Sequence, residues 1–445
     1  MNQSLPPGPS YPATMQMIGF WSRPLAYLER NRARYGKRFT LRFPLAPPFV
    51  MITEPDQIKQ VFTAPPDVLR PGEGARVLQP IVGDNSVILL DGGAHMEQRK
   101  LMLPAFHGER MERLTDLIER VADAEVASWN GAAELELHPR MQRLTMEIIL
   151  RAVFGLDPGE RLDAMRERLA RLAAYGDKPI TLLGQPPEWL EPALNRFGPV
   201  AGFLDLRAEI DALLFELIAE RRAEDADRDD VLSMLLEARH EDGSPMSQQE
   251  LRDELLTLLI AGHETTATTL AWAFERLVRQ PGVLSRLVDE IDAGDEDDYL
   301  VATIRETLRH RPVLPNNAPR LVAKPIEVGG WHYEPGVCLV PNAYLVHHDR
   351  DLYPDPYAFR PERFLDESPG TYTWIPFGGG RRRCLGASFA LLEMGIVLSA
   401  VLRAYELRPV GGTPELARRR NITVRPGGGS TVGVGARVAR VPVAA

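Results

Sequence analysis

The sequence predicts a mainly helical α+β fold, with helices filling the middle of the chain and short strands gathered towards its ends. Three observations carry this. From about residue 95 to 310, apolar positions recur three and four apart, with Pro and Gly between the segments. Within that span, Ser247 and Glu250 form an S-x-x-E capping box ahead of an apolar run that Pro281-Gly282 stops. That run is about 33 residues, or roughly 50 Å of helix at 1.5 Å per residue, enough to cross a whole domain. From 312 to 386 Pro and Gly are dense and the pattern turns irregular and β-rich.

The remaining elements follow in order. Residues 36–62 read as strands, with Phe39–Phe43 and Phe49–Ile52 flanking a Pro-rich turn. Residues 64–94, rich in Pro, Gly and Asp, read mainly as loop. A last amphipathic helix is expected from about 386 to 404, and strand-like alternation around Gly-rich turns follows it. There are no repeats, low-complexity tracts or long linkers. The expectation is therefore one domain over 1–445, with a β-rich part at about 36–62, a helical part at about 95–310 and a mixed part at about 312–440.

Composition narrows the function. At 44% hydrophobic and 25% charged, the 445 residues are those of an ordinary globular protein, and a net charge of -9 argues against nucleic-acid binding. The two cysteines, Cys338 and Cys384, make no disulfide framework and are too few for thiolate zinc sites, so a reducing cytoplasm is expected. No apolar run is expected to reach the roughly 18 residues of a spanning helix. The opening residues, polar and then Leu5-Pro6-Pro7-Gly8-Pro9, lack a charged-then-apolar leader.

Chemistry concentrates in a few places. Cys384 follows Phe377, three glycines and Arg381, Arg382 and Arg383, and stands just before a helix with Gly386 between. An isolated Cys is ordinarily an inert core thiol, and Cys338, in an apolar strand-like stretch, is read so. At Cys384 the glycines permit close approach of a flat ligand, while the arginines and the helix N-terminus should favour thiolate, the form that binds iron. In the long helix, Ala261 and Gly262 leave room for a ligand, and Thr265 can donate to the Ala261 carbonyl. Glu306 and Arg309 lie three apart near a helix end, an arrangement that is ordinarily a solvated pair. His95 and Arg99 lie four apart after Asp91-Gly-Gly, and Arg320 follows the Glu306 helix.

Taken together, these motifs resemble the cytochrome P-450 superfamily of haem-thiolate monooxygenases, soluble bacterial type, from about residue 5 to 440. Phe377, Gly380, Arg382, Cys384 and Gly386 match F-x-x-G-x-R-x-C-x-G. Ala261–Thr266 matches A/G-G-x-D/E-T-T/S, with His263 at the variable position. Glu306 and Arg309 match E-x-x-R, and His95 and Arg99 match H-x-x-x-R. The resemblance implies the P-450 fold, haem b with Cys384 as axial iron ligand, and propionate contacts from His95, Arg99, Arg320 and Arg382. It makes Glu264 and Thr265 the proton relay to dioxygen, and Glu306, Arg309 and Arg363 a buried ion network. Ala261, Phe377 and Gly386 would border the cofactor.

The implied activity is insertion of one oxygen atom into a lipophilic small molecule, by hydroxylation or epoxidation. No reductase-like segment is present, so electrons would come from NAD(P)H through a separate ferredoxin and ferredoxin reductase. These would be steered by Arg381, Arg382 and Arg383, joined in the family's layout by Arg99, Lys100 and Arg110. A monomer without nucleic acid or membrane anchor is expected. A peroxide-using relative typically lacks the acid–alcohol pair, and a non-catalytic haem sensor or carrier needs no relay. By the family's layout the pocket draws on Leu78, Ile81, Val82, Ile88, Leu182, Leu183, Val313 and Leu314. Fatty acid, terpenoid and steroid substrates stay open, and Arg70 and Arg76 are either carboxylate ligands or surface charge.

Overall fold

The computed structural model describes residues 5–106, 109–175, 199–224, 228–294, 296–366 and 368–437. The long helix is present as Gln248–Leu277, 30 residues, or about 45 Å. Both halves of its capping box form: Ser247 Oγ accepts from Glu250 N at 3.1 Å, and the Glu250 carboxylate accepts from Ser247 N at 2.7 Å. It stops at Leu277, short of Gln280, because a turn intervenes before Pro281 opens the next helix, Pro281–Ala293.

The helices Glu109–Ala127, Leu137–Phe154, Pro199–Ala223, Asp298–His310 and Ala387–Ala404 pack around this axis and enclose the principal core. The long helix lies most extensively along Leu137–Phe154. Between Leu251 and Leu277 it is buried or half-buried on every face except at Ala261. An exposed residue midway along a core helix requires an internal opening there.

The helix Ala387–Ala404 corrects one expectation. Its 18 residues have a mean hydropathy of 1.7, which by length and composition alone would suffice to cross a membrane. Phe389, Met394, Val397, Leu398, Val401 and Leu402 are buried in the principal core, so its apolarity has a use within the fold.

The strands form small sheets. A five-stranded sheet runs in the order Arg38–Leu41, Phe49–Ile52, Cys338–Pro341, Arg320–Val322, Leu69–Arg70. Its second and third strands are parallel and its other neighbours antiparallel. Glu134–Glu136, Thr431–Ala436 and Tyr405–Pro409 make a three-stranded antiparallel sheet, and Ala417–Arg420 pairs with Thr423–Pro426. Cys338 sits on a central strand, where burial pushes its thiol up to about 12, the inert state expected.

Two stretches differ from their sequence reading. Residues 55–63 are a helix, not strand: Pro55 starts it, and Ile58, Val61 and Phe62 bury one face. Pro at the first helical position costs no hydrogen bond. The 64–94 stretch, read as loop, holds a short strand, Leu69–Arg70, and helical turns Pro71–Gly74, Arg76–Leu78 and Gln79–Val82. Two of the Pro residues taken as loop markers, Pro71 and Pro80, occupy the first and second positions of two of those turns.

Candidate active site

The Cys384 loop is shaped by glycine. Gly378 and Gly380 have φ of +68° and +64°, a conformation that L side chains resist. A Cβ on Gly379 would lie 2.5 Å from the Phe62 ring, and one on Gly380 2.3 Å from the Phe62 carbonyl oxygen. These two glycines therefore admit Phe62, not a ligand as the sequence suggested. Cys384 N donates to Phe377 O at 2.9 Å and closes the loop. Phe377 packs edge-on to Trp374 at 5.9 Å, and Gly386 caps Ala387–Ala404.

Cys384 is a free, exposed cysteine, although protein surrounds it at longer range. Its thiol is raised above its ordinary pKa, because burial outweighs the lowering by the Gly386 backbone, Arg99 and Arg383. The sequence expectation of a thiolate favoured by three flanking arginines is thus corrected. Of the three, only Arg383 acts appreciably, and dehydration wins. A metal cation would reverse that balance.

His95, Arg99, Arg320 and Arg382 converge. His95 is held neutral, down to about 3, by burial and then by Arg382, Arg99 and Arg320. Burial lowers Arg320 and Arg382 to about 10, and each guanidinium acts on its neighbours. Asp91 is the carboxylate that offsets them. It bonds Arg382 Nη2 at 2.8 Å and also accepts from Gly72 N and Glu73 N. Arg382 further donates to the carbonyls of Val87 and Ile88, at 2.9 and 3.2 Å, and to that of Leu90. Asp91, His95, Arg320 and Arg382 line one cleft with Phe62. Three guanidiniums against one carboxylate leave positive charge that two carboxylates of a ligand would complete. An exposed thiol, this cationic cluster and a helix bared at Ala261 fit an iron porphyrin.

The long helix bears out the Thr265 reading: Thr265 Oγ1 donates to Ala261 O at 2.6 Å. Gly262 is different. A Cβ there would meet Ile149 Cδ1 at 2.7 Å, so this glycine serves helix packing. His263 is buried with Nδ1 on Leu259 O at 2.9 Å, a structural position. The Glu264 carboxylate accepts from Gln142 Nε2 at 2.6 Å and Arg420 Nη1 at 3.2 Å, with His138 Nε2 at 3.8 Å.

Glu306 and Arg309 are wholly buried, bonded at 2.6 and 2.8 Å. Arg363 Nε lies 3.7 Å from Glu306. Arg309 also donates to the carbonyls of His347, Pro356 and Ala358. The expected three-residue network is assembled.

Around the expected pocket, Val82 and Val313 are buried, while Leu78, Ile81, Ile88 and Leu314 are half-buried. Leu182 and Leu183 lie outside the described residues, as does the side chain of Arg110. Arg76 is paired with Glu73 at 2.7 Å and Arg70 is exposed. The sequence reading missed Gln142, His138 and the role of Asp91, and by the family's layout took Arg420 only as the start of a pocket-lining segment, not as a partner of Glu264. Gln142 and Arg420 lie among charged residues and carry no sequence signal of their own.

The cytochrome P450 family model matches residues 6–431. Cytochrome P450 135B1 of Mycobacterium tuberculosis is 39% identical over 443 residues, covering 97% of this chain and 92% of that protein. Cytochrome P450 138 of the same species is 37% identical over 430 residues, covering 96% of each. Among solved structures, the retinoic acid bound cyanobacterial CYP120A1 superposes with a TM-score of 0.83 at 22% identity, over 98% of this chain and 100% of that one. The cytochrome P450DA heme domain gives the same score and identity over 98% of each. These two likenesses bear on the fold.

Proposed function

This chain belongs to the cytochrome P450 family, a monooxygenase oxidoreductase family, and from that premise we propose a dioxygen-using enzyme that hydroxylates or epoxidises a lipophilic small molecule. Cys384 would ligate the iron of haem b, and His95, Arg99, Arg320 and Arg382 would hold its propionates. Bound there, the haem supplies dioxygen activation and oxygen transfer. The observation that carries the reading is the acid–alcohol pair on the long helix. Thr265 commits its hydroxyl hydrogen to Ala261 O, which leaves its oxygen lone pairs to receive a bond from water in the opening at Ala261. Glu264, anchored by Gln142 and Arg420, is the acid of the pair, through which a proton would pass towards Thr265. A peroxide-using enzyme has no need of this pair, nor has a haem sensor or carrier.

Thr265→Ala should bind substrate and consume reductant at nearly the parental rate. Product formed per reductant should fall by at least about tenfold, a conservative bound beside the roughly hundredfold or more that a positioned proton donor contributes, with hydrogen peroxide or water taking up the difference. Unchanged coupling would remove Thr265 from the relay.

The pocket favours a substrate held by shape. Arg76, occupied by Glu73, is withdrawn as a carboxylate ligand. Titrating fatty acids, terpenoids and steroids against the ferric spectrum identifies the class by the shift that accompanies water displacement.

Electrons from NAD(P)H would arrive through a ferredoxin and its reductase. The chain would act as a monomer in a reducing cytoplasm, a reading supported by its two free cysteines. The basic face narrows to Arg381 and Arg383, both exposed and without an ion pair among the described residues, since Lys100 is paired with Glu241 at 2.8 Å. Arg381→Glu or Arg383→Glu should slow reduction by an acidic partner through association. The deficit should shrink as salt brings the screening length to about 8 Å and below. Stopped-flow reduction at two ionic strengths reads this. Rates indifferent to both changes would place the docking site elsewhere.

A further inference from the structure

Residues 82–91 are pinned from two sides. From the Cys384 loop, Arg382 takes the carbonyls of Val87, Ile88 and Leu90. From the long helix, Asp253 Oδ2 accepts from Asn85 N at 3.0 Å and from its side-chain amide at 2.9 Å. Thr257 Oγ1 donates to Ser86 Oγ at 2.7 Å, and Glu254 Oε1 accepts from Val87 N at 2.7 Å. None of these long-helix residues belongs to the Ala261–Thr266 motif.

Glu254 stands apart among them. Its residue surface is 0% exposed. The groups that act on it most are Val87 N–H, the Gln98 amide, and the carboxylates of Asp253 and Glu250. Glu254 Oε2 and Gln98 Nε2 are both buried without a hydrogen-bond partner among the described residues. Two arrangements satisfy both residues: the Gln98 amide donates to an ionised Oε2, or, with the amide turned end for end, a protonated Oε2 donates to the Gln98 side-chain oxygen. Complete burial with no cation among the groups that act on Glu254 favours the second. Gln98 lies on the helix Gly92–Met102, which also carries His95 and Arg99.

We infer that Glu254 is a positioning residue of the haem pocket: as a neutral acid it clasps Val87 with one oxygen and Gln98 with the other. It thereby fixes the His95/Arg99 helix, and the loop whose carbonyls hold Arg382, against the long helix. The inference rests on reading those side chains as the haem-holding set. Burial, with smaller contributions from Asp253 and Glu250, raises the carboxyl to about 8 against Val87 N–H and Gln98, from an ordinary value of 4.5 that it regains when the clasp opens to water. The sign follows from linkage. The clasp is strongest below the ordinary value, weakens as pH rises towards about 8, and is constant beyond. The opening constant should rise by up to about tenfold per pH unit over that interval.

Hydrogen exchange of the purified full-length protein, followed on peptides spanning 83–91 at pH 5.5, 6.5 and 7.5 and corrected for intrinsic rates, measures this. His95 shifts the baseline of wild type and variants alike, so the difference between proteins is read. Opening in wild type should climb with pH. Glu254→Gln, which keeps a neutral clasp, should be flat by comparison and should release haem more slowly than wild type at pH 8. Glu254→Leu should open at every pH. A Gln variant with the wild-type slope, or a wild type without one, overturns the clasp. Protein that binds no haem by absorbance yet keeps the slope supports the clasp and overturns the haem reading on which it was placed.

Discussion

Glu306→Ala should leave little folded protein. The carboxylate is wholly buried, bonded to Arg309 twice and to Arg360 N at 2.8 Å. Removing it strands a guanidinium that cannot shed its charge, at a cost of about 3–5 kcal/mol. That is a large share of the roughly 5–15 kcal/mol by which a typical protein is folded. The damage should spread, because Arg309 organises the carbonyls of His347, Pro356 and Ala358, and so the irregular stretch that leads towards Cys384. Arg309→Lys should also be severe, since a single ammonium cannot serve five acceptors in fixed directions. Soluble yield and urea midpoints measure both variants. A Glu306→Ala unfolding free energy within about 0.5 kcal/mol of wild type, the range of an ordinary surface change, would strip the network of its structural role.

Cys384→Ala should abolish the red-shifted Soret band that reduced, carbon monoxide-bound haem shows when its axial ligand is a thiolate. The effect is all-or-none, because the other thiol cannot substitute. Cys338 is 2% exposed on a central strand, with its thiol pushed up to about 12. Cys338→Ala should keep the band. Loss of the band in the Cys338 variant, with its circular dichroism intact, would sink the assignment.

Much of the site was legible because short motifs encode local geometry. Thr265 on Ala261 O is an i to i−4 bond that any helix permits, and the Ser247/Glu250 box needs only three residues' spacing. Glu306 and Arg309 were readable as neighbours, whereas their complete burial was not. Burial depends on His347, Pro356 and Ala358, about forty to fifty residues away. The roles of Asp91, Gln142 and Arg420 were illegible for the same reason: each acquires its meaning from a partner on a distant element. The glycines mislead in a different way. Gly262 and Gly379 read as room for a ligand, and the room is taken by Ile149 and Phe62. The helix Pro55–Thr63 was misread because a β-rich neighbourhood outweighed the helix-starting preference of Pro55.

The parallel pairing of Phe49–Ile52 with Cys338–Pro341 has a consequence for the order of assembly. The strand at 49–52 emerges from the ribosome long before its partner. Phe20, Leu28, Phe39 and Met51 must meanwhile wait for Val340, Tyr344, Leu345 and Val424, with which they share a core cluster. Pairings between such distant segments are slow to find, because loop closure must come first. The first fifty or so residues should therefore remain sticky and unprotected through most of translation. Nascent chains truncated before residue 338 should be digested by protease in this region, whereas full-length chains resist.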